Sequence, residues 1–284
     1  MNKKKIFILF LIIIYFIPLK ACSSYSFNNI SNDNILKIHY IDIGQGDSIL
    51  ISINNKHMLI DSGSKEKSKY LIKYLKNQKI KKLNYVIATH PHEDHIGSMS
   101  EIIRKFTIEN FYAPKITSNN SYFNDMVNAL IDNNLKIKVA KANNRINFYP
   151  NIYCEFIAPN NINYDNINNY SAVLKLTYKN CSFIFTGDAE ALSENEMIQN
   201  CHDLKCDVLK LGHHGSSTST TDSFLEKTSP KIAIVSCGKN NKFGHPNKKT
   251  ISKIKKKNIK LYRTDIDGNI VFTCDGKGIQ KLIK

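Results

Sequence analysis

The sequence predicts an α/β fold built as a single folded domain. Strand-like runs rich in β-branched residues alternate along the chain with segments of helical periodicity, which is typical of α/β proteins. The 284 residues are enough to bury a sizeable core, and a hydrophobic content of 42% excludes a disordered chain. Because no linker rich in Pro, Gly or Ser divides this pattern, one domain is the simpler interpretation.

The individual elements follow from local periodicity. Apolar or alternating β-branched runs predict strands, and apolar residues three and four positions apart predict helices. Strands are predicted at 36–43, 48–53, 57–61, 85–89, 173–178, 182–186, 208–211, 232–236 and, as a terminal cluster, 260–283. Helices are predicted at 65–77, 96–106, 124–133, 189–199, 221–228 and 250–257, and the Asn-rich segment 160–169 is predicted to be a loop.

The first 22 residues have the pattern of an export signal. Three lysines at positions 3–5 precede an apolar run over 6–17, which is shorter than the roughly 20 residues that span a bilayer. The run is followed by a segment that resembles a bacterial lipobox with an unusual lysine inside it, Leu19-Lys20-Ala21-Cys22. A lipoprotein, a plain secreted protein and an uncleaved N-terminal anchor are all compatible with this pattern. We therefore expect an extracytoplasmic protein, either secreted or anchored to the outer face of the cell membrane.

This layout also bears on the charge of the mature chain. Residues 1–22 are predicted to be the leader, 23–34 a polar tether and 35–284 the folded domain. The full chain carries a formal charge of +16, and cleavage before Cys22 would remove four lysines and no acidic residue, which leaves +12. A positive charge of this size favours polyanionic partners such as nucleic acid, teichoic acid or anionic lipid. The abundance of Lys, Asn and Ile fits a biased genome equally well.

Six cysteines remain besides Cys22, an even number that could pair outside the cell. Cys181, Cys237 and Cys274 lie in apolar, strand-like runs, where a buried free thiol is the simpler expectation. Cys201 and Cys206 lie close together near a predicted helix end and are the best candidates for a disulfide.

Four metal-ligand side chains crowd into six positions where the strand 85–89 ends. The run reads Thr89-His90-Pro91-His92-Glu93-Asp94-His95-Ile96-Gly97. His90 and His92 alternate on extended backbone, so both imidazoles can face one ion. Asp94 and His95 lie at the turn into the next helix and can face a second ion. A solvated polar turn is the alternative, but it gives no reason for this density of ligands.

Two further strand ends carry ligand-type residues. Phe185-Thr186-Gly187-Asp188 places a carboxylate directly after a buried strand, where Asp188 could bridge two ions. Taken alone, this carboxylate could equally cap a helix. Lys210-Leu211-Gly212-His213-His214-Gly215-Ser216 places two imidazoles after another apolar strand. Three strand ends that carry ligands in this order predict a metal site with one or two divalent ions, zinc first and manganese as the alternative.

The order of these motifs resembles the metallo-β-lactamase superfamily. Four segments are also similar to the hydrolase domain of the ComEC family of DNA-uptake proteins, and the resemblance extends over 35–284. These segments are Tyr40-Ile41-Asp42-Ile43-Gly44-Gln45-Gly46-Asp47-Ser48, Leu59-Ile60-Asp61-Ser62-Gly63, Thr186-Gly187-Asp188-Ala189-Glu190 and Gly212-His213-His214-Gly215-Ser216. The resemblance implies an αββα sandwich with the metals at one edge between two β-sheets. It also implies the metal ligands His90, His92, Asp94, His95, Asp188 and His213.

Two features depart from the family pattern. Many superfamily members have a further histidine before the Thr-Gly-Asp motif, whereas residues 168–174 contain none. The site of Asp94, His95, Asp188 and His213 therefore looks complete. The site of His90, His92 and Asp188 lacks one protein ligand, which water, substrate or Ser171 could replace, so its metal is expected to be weak or absent. ComEC proteins also carry many transmembrane helices, and this chain has at most one short apolar segment.

Supporting roles are assigned to four residues. Asp61 could orient a ligand histidine, with a plain turn carboxylate as the alternative. His245 could reach the site as a general acid or phosphate contact, and His214 could do likewise or merely pack. Ser171 is a candidate to contact ligands or substrate.

The sequence therefore predicts hydrolysis of a phosphodiester by a metal-activated water. Asp94 or Asp188 would orient this water or take its proton. Lysines in 65–82 and at positions 239, 242 and 248 could attract DNA or RNA. The alternatives are a surface phosphodiesterase for a smaller ester, such as phosphorylcholine on teichoic acid, and a non-catalytic domain that binds nucleic acid.

Overall fold

The computed structural model describes residues 34–200 and 203–282. The predicted leader, nearly all of the predicted tether and Cys201 lie outside the described residues. Within the described ranges, no helix combines the length and the apolar character that a membrane crossing requires.

Strands and short helices alternate along the described chain. The strands are β1 (Leu36–Tyr40), β2 (Ile49–Ile53), β3 (Lys56–Ile60), β4 (Lys82–Ile87), β5 (Thr107–Ala113), β6 (Ile137–Val139), β7 (Arg145–Tyr149), β8 (Ile152–Ala158), β9 (Val173–Tyr178), β10 (Cys181–Phe185), β11 (Val208–Lys210), β12 (Ile232–Val235), β13 (Lys260–Arg263), β14 (Ile270–Cys274) and β15 (Ile279–Lys281). The helices are α1 (Ser68–Asn77), α2 (Glu93–Ile96), α3 (Met99–Lys105), α4 (Ser121–Asp132), α5 (Ala191–Gln199), α6 (Asp222–Thr228), α7 (Lys248–Lys256) and α8 (Thr264–Asp267). Single 3-10 turns occupy Lys65–Lys67, Ile167–Tyr170 and Gly212–Gly215.

The strands form two sheets. The first has the order β15-β14-β1-β2-β3-β4-β5-β6, and the second has the order β13-β12-β11-β10-β9-β8-β7. In the first sheet β3, β4 and β5 run parallel, and in the second β10, β11, β12 and β13 run parallel. Because parallel strands end at the same edge of their sheet, the segments that follow β4, β10 and β11 are brought to two neighbouring edges.

Alternation along each strand explains how the sheets stack. In β2, Ile49 and Ile51 point into the core between the sheets, whereas Leu50 points to the layer formed with α1, α3 and α4. In β10, Phe183 lies in the core between the sheets and Ile184 faces the layer formed with α5, α6 and α7. Burying one such side chain stabilises the fold by about 1.5–3 kcal/mol. The layers are therefore helices, sheet, sheet and helices, and the predicted αββα sandwich is confirmed.

Several elements differ from the sequence prediction. No strand is predicted at β5, β6, β7 or β8, because these strands lie near one end of each sheet and interleave apolar residues with Lys, Asn and Glu. The predicted strand 36–43 ends at Tyr40, since the following residues form the glycine-containing turn before β2. The predicted helix 96–106 begins earlier and is split into α2 and α3.

The cysteines also differ from expectation. Cys181 and Cys274 form a disulfide between β10 of one sheet and β14 of the other. The expectation of buried free thiols is therefore wrong for these two, because both side chains point into the core between the sheets. Cys154, Cys206 and Cys237 are buried free thiols.

Candidate metal centre

The segment that follows β4 directs two imidazoles to one point. The backbone bends at His90 and Pro91, is extended at His92, and enters α2 at Glu93. Nε2 of the buried His90 and Nδ1 of His92 lie 3.0 Å apart. The two rings thus converge, although the backbone between them is bent and not the extended run that the sequence predicted.

His95 is held by a carboxylate from the neighbouring strand end. Its Nδ1 lies 2.8 Å from Oδ2 of Asp61, which follows β3. Asp61 also accepts hydrogen bonds from the backbone N–H and the hydroxyl of Thr89, at 2.8 and 2.7 Å. With Nδ1 engaged in this way, Nε2 of His95 points to Oδ1 of Asp188 at 3.2 Å. Asp61 therefore holds the ring nitrogen of His95 that faces away from Asp188.

Asp188 lies at the centre of the cluster. Gly187 adopts a φ of +52°, and the backbone N–H of Asp188 then donates to Oγ of Ser171 at 3.0 Å. Oδ2 of Asp188 is 3.8 Å from Nε2 of His90 and 3.8 Å from Nε2 of His213. Asp188 is thus the carboxylate that the ligands from the different strand ends share.

The tandem histidines occupy different environments. His213 and His214 both adopt left-handed backbone, with φ of 47° and 54°, and their rings diverge. His214 is 1% exposed, its Nδ1 lies 2.9 Å from the carbonyl oxygen of Ser236, and its Nε2 lies 3.1 Å from Oδ2 of Asp94. The side chain of His213 is 26% exposed, and its Nδ1 lies 3.0 Å from Oε1 of Glu190.

This geometry alters the ligand set inferred from the motifs. His214, and not His213, contacts Asp94, because two successive left-handed residues turn the second ring inward. Among the residues that the structure describes, one buried group brings a ligand atom from each of four side chains within 4.8 Å of one another, namely Asp47, His95, Asp188 and His214. Asp94 lies outside this group of four but touches it through His214.

The motif search did not identify Asp47 as part of the centre. Oδ2 of Asp47 lies 2.8 Å from Nζ of Lys210, and both side chains are buried. Its Oδ1 lies 3.4 Å from Nδ1 of His214, on the ring edge opposite Nε2. Gly46 makes this position possible, because a Cβ there would overlap the carbonyl oxygen of Asp94. Lys210 therefore pairs with one carboxylate oxygen of Asp47, whereas Oδ1 is buried beside His214 and makes no hydrogen bond with the described residues.

Unpaired ligand atoms show that the centre fits a cation. Nε2 of His95 and Oδ1 of Asp188 are buried and make no hydrogen bond, although they lie 3.2 Å apart. A buried polar atom without a partner costs about 1–3 kcal/mol, which coordination to an ion would remove. Imidazole and carboxylate are ligands that zinc and other divalent transition metals accept.

The charges of the carboxylates and histidines reinforce this fit. Although burial raises it, the neighbouring His214 and His95 hold the pKa of Asp188 well below its usual range. Burial lowers the pKa of His214, but the surrounding carboxylates, Asp188 foremost, raise it to about 10. The cluster therefore stabilises positive charge at its centre.

Residues 41–135 and 165–239 match the family model of the metallo-beta-lactamase superfamily. The chain belongs to this superfamily. ComE operon protein 3 of Bacillus subtilis (strain 168) is 31% identical over 254 residues, covering 83% of this chain and 33% of that protein. Competence protein ComA of Neisseria gonorrhoeae is 26% identical over 241 residues, covering 84% and 32%. The predicted resemblance to the ComEC family is confirmed, and the chain spans about a third of the length of these relatives.

The fold of this superfamily member has counterparts among solved structures. The metallo-beta-lactamase fold protein YhfI from Bacillus subtilis aligns with a TM-score of 0.58 and 12% identity, covering 85% of this chain and all of that one. At this level of identity the likeness concerns the fold alone.

In this superfamily member Ser171 lies between Asp188 and His90. Its Oγ accepts the Asp188 N–H and lies 3.4 Å from Nδ1 of His90. Since the metal-facing atom of His90 is Nε2, Ser171 lies behind the ring. It is placed to support Asp188 and His90.

His245 lies on the open side of the centre. Its ring centroid is 5.2 Å from that of His213 and 6.2 Å from that of His214. Burial, followed by the charges of His213 and His214, lowers its pKa to about 4. His245 is therefore a neutral imidazole beside the cluster, and its buried Nδ1 makes no hydrogen bond.

Proposed function

We propose that this superfamily member is an extracytoplasmic metal-dependent phosphodiesterase that cleaves DNA or RNA. The observation that carries the proposal is the buried cluster of imidazoles and carboxylates with unpaired ligand atoms. The similarity of this chain to competence proteins, over about a third of their length, favours nucleic acid as the substrate class.

A cleft of about 610 Å³ beside the metal centre supports a polyanionic substrate. It is lined by Asp42, Gly44, Gln45, Glu66, Lys67, Tyr70, Gly238, Lys239, Asn241 and Asp265. Lys67 and Lys239 come from the two separate basic regions of the sequence, and the fold brings them to one cleft. The lining is mixed in charge, because Asp42 and Glu66 accompany the two lysines, whereas the carboxylate of Asp265 is paired with Arg263.

The cleft and the metal centre share a wall. Gly44 and Gln45 line the cleft, and the same turn continues through Gly46 to Asp47. The backbone N–H of Asp47 donates to the carbonyl oxygen of Asp94 at 3.1 Å, and that of Gly238 donates to Oε1 of Gln45 at 3.2 Å. A strand bound in the cleft would therefore lie within a few residues of the reacting centre.

The metal would be held by Nε2 of His95, Nε2 of His214 and the carboxylates of Asp94 and Asp188. When bound, such an ion polarises a phosphoryl oxygen and lowers the pKa of a coordinated water to roughly 7. Asp94 is suited to accept a hydrogen bond from the attacking water and so orient it, because His95 and His214, against the effect of burial, keep the pKa of this carboxyl below its usual range and hold it ionised.

The proposed reaction consumes one water molecule for each phosphodiester bond. The water oxygen forms a bond to phosphorus, the bond from phosphorus to the leaving oxygen breaks, and a proton passes to that oxygen. His245, as a neutral imidazole on the open side, would donate an N–H to a phosphate oxygen or to the leaving group.

The disulfide between Cys181 and Cys274 supports an extracytoplasmic location. Such bonds persist in oxidising compartments and are rare in the cytosol. Anchoring through lipidated Cys22 belongs to the same proposal.

Cleavage assays on the full chain test the proposed reaction. With added zinc or manganese, we expect cleavage of bis-p-nitrophenyl phosphate and of single- or double-stranded DNA. Activity should be lost in Asp94→Ala and retained in Asp125→Ala, a control on the exposed face of α4. Cleavage of the small ester alone would favour a surface phosphodiesterase, and no turnover by the metal-loaded protein would refute the proposal.

A salt titration tests the cleft separately. Lys67→Ala and Lys239→Ala should each weaken DNA binding and reduce its dependence on salt concentration by about one phosphate contact. Hydrolysis of the small ester should not change, and the exposed Lys136→Ala serves as the matched control. An unchanged salt dependence in both variants would exclude the cleft as the DNA path.

A further inference from the structure

His90 and His92 form part of a second candidate metal position. The sequence motifs supply one protein ligand too few to complete it. Nε2 of His90 and Nδ1 of His92 lie 3.0 Å apart, and Oδ2 of Asp188 lies 3.8 Å from His90. The segment 168–174 supplies no histidine, and Ser171 lies behind the His90 ring. A further donor must therefore come from elsewhere in the fold if this position holds an ion firmly.

His213 faces the same carboxylate oxygen. Its Nε2 is 3.8 Å from Oδ2 of Asp188, which is the distance that separates this oxygen from Nε2 of His90. Nε2 of His214 is 3.5 Å from the same oxygen but lies closer to Oδ2 of Asp94, at 3.1 Å. Two atoms that bind one zinc ion at about 2.0–2.2 Å lie about 3.3 Å apart in a tetrahedral arrangement. The observed separations differ from that value by a few tenths of an ångström.

The other ring nitrogen of His213 is anchored as a metal ligand requires. Histidine ligands usually donate their second N–H to a carboxylate or a carbonyl oxygen, which fixes the direction of the metal-facing nitrogen. His95 does so with Asp61 at 2.8 Å, and His214 does so with Ser236 at 2.9 Å. His213 makes the equivalent contact with Oε1 of Glu190 at 3.0 Å.

The loop that lacks the family histidine holds Glu190 in place. Nδ2 of Asn168 donates to Oε1 of Glu190 at 3.0 Å, and Nδ2 of Asn166 donates to Oε2 at 2.9 Å. The hydroxyl of Thr218 adds a third contact at 3.0 Å. These three contacts fix the Glu190 carboxylate in place beside His213.

We infer that His213 completes a second metal position with His90, His92 and Asp188. Glu190 is its positioning residue, and the Asn-rich loop acts through Glu190 instead of supplying a ligand of its own. The two adjacent histidines thus divide between two ions, with His214 serving the position of Asp94 and His95. This inference rests on the metal centre of the proposed function, but not on the identity of its substrate.

Metal content measured on the full chain tests the inference. After saturation with zinc and removal of free metal, the wild-type protein should retain two ions, and His213→Ala should retain one. His57→Ala, which removes a histidine from the opposite end of β3, should retain two. Two firmly held ions in His213→Ala would overturn the inference.

A second variant keeps the test decisive if His213→Ala does not fold. Glu190→Gln should preserve folding and weaken one of the two binding events by about 10- to 100-fold in calorimetry, since its partner residues remain. Unchanged affinity for both ions would overturn the positioning role. Two bound ions without phosphodiester cleavage would refute the proposed function alone, whereas cleavage by a protein that binds a single ion would refute this inference alone.

Discussion

The centre has two halves whose fully buried histidines, His90 and His95, differ in their electrostatic surroundings. On one side, burial and the charge of His95 lower the pKa of His90 well below its usual value. On the other side, the carboxylates of Asp188, Asp61 and Asp94 outweigh burial and raise the pKa of His95 well above its usual value. Burial acts on both histidines in the same direction, so the number of nearby carboxylates decides the outcome.

This difference separates the proposed metal positions. The half with His90 and His92 offers neutral imidazoles, which are ready to ligate a metal but attract cations weakly. The half with Asp94, His95 and His214 carries ionised carboxylates and attracts a divalent ion before any ligand bond forms. We therefore expect the carboxylate half to fill first and to bind more tightly.

Asp188 is the residue whose loss should damage both halves. Asp188→Asn keeps the shape but removes the charge that His90, His95 and His214 share, so both ions should be lost and activity should fall by more than about 10³-fold, beyond the 10- to 100-fold typical of a supporting residue. Metal analysis and ester hydrolysis measure this. Asp132→Asn on the exposed face of α4 is the matched control. If Asp188→Asn held both ions, the shared carboxylate would not bridge the halves.

Removing the metal should make the stability of the protein depend on the protonation of the histidines in the carboxylate half. In the metal-free protein the pKa of His214 is raised from 6.5 to about 10, so protonated His214 contributes stability that is fully present below pH 6.5 and is lost as the pH rises through about 10. The melting temperature of the chelated protein should fall across this window more steeply than that of the zinc-loaded protein.

Differential scanning calorimetry at several pH values would measure this divergence. His214→Gln should reduce the pH dependence of the chelated protein without abolishing it, because one of the two imidazoles with a raised pKa is gone and His95 remains. Parallel curves for chelated and zinc-loaded wild-type protein would contradict the assignment of His214 to the metal.

The metal motifs were predictable from sequence because ligand density is a local property. The cluster from His90 to His95 crowds its donors into six positions, and the strand ends that follow β4 and β10 are set by apolar runs. The division between His213 and His214 was not predictable, since it depends on two left-handed residues that no pattern marks. The supporting roles of Asp47 and Glu190 depend on contacts distant in sequence.

The strands, too, were predictable only where the sequence pattern is local and strong. Strands with continuous apolar runs, such as β10 and β11, were predicted within a few residues, because both of their faces are buried. The strands β5 to β8 were missed, because alternation with Lys, Asn and Glu weakens a strand pattern when only part of the strand is buried.

Asp61 offers a way to weaken one half only. Asp61→Asn should lower affinity for the first ion by about 10- to 100-fold, because the amide no longer holds the Nδ1–H of His95 as a carboxylate does. Binding at the His90 half should change less. Paired with Glu190→Gln in the same calorimetric experiment, the two variants should weaken different ions. Loss of the same ion in both would show that the halves are not independent.

Removing the disulfide is expected to have the smallest effect on the metal centre. The disulfide lies at the start of β10, and the metal centre lies beyond the other end of that strand. Cys181 begins β10, and Asp188 follows the end of that strand. Replacing Cys181 and Cys274 by Ala should lower the free energy of unfolding by about 2–4 kcal/mol, because the link joins residues 93 apart. Metal content and ester hydrolysis at 25 °C should remain at the wild-type level, with Cys154→Ala as the control for losing a buried thiol. A disulfide that only tethers the two sheets leaves the metal ligands of the folded protein in place. Loss of bound metal together with the loss of stability would therefore show that the disulfide also sets the spacing of the strand ends.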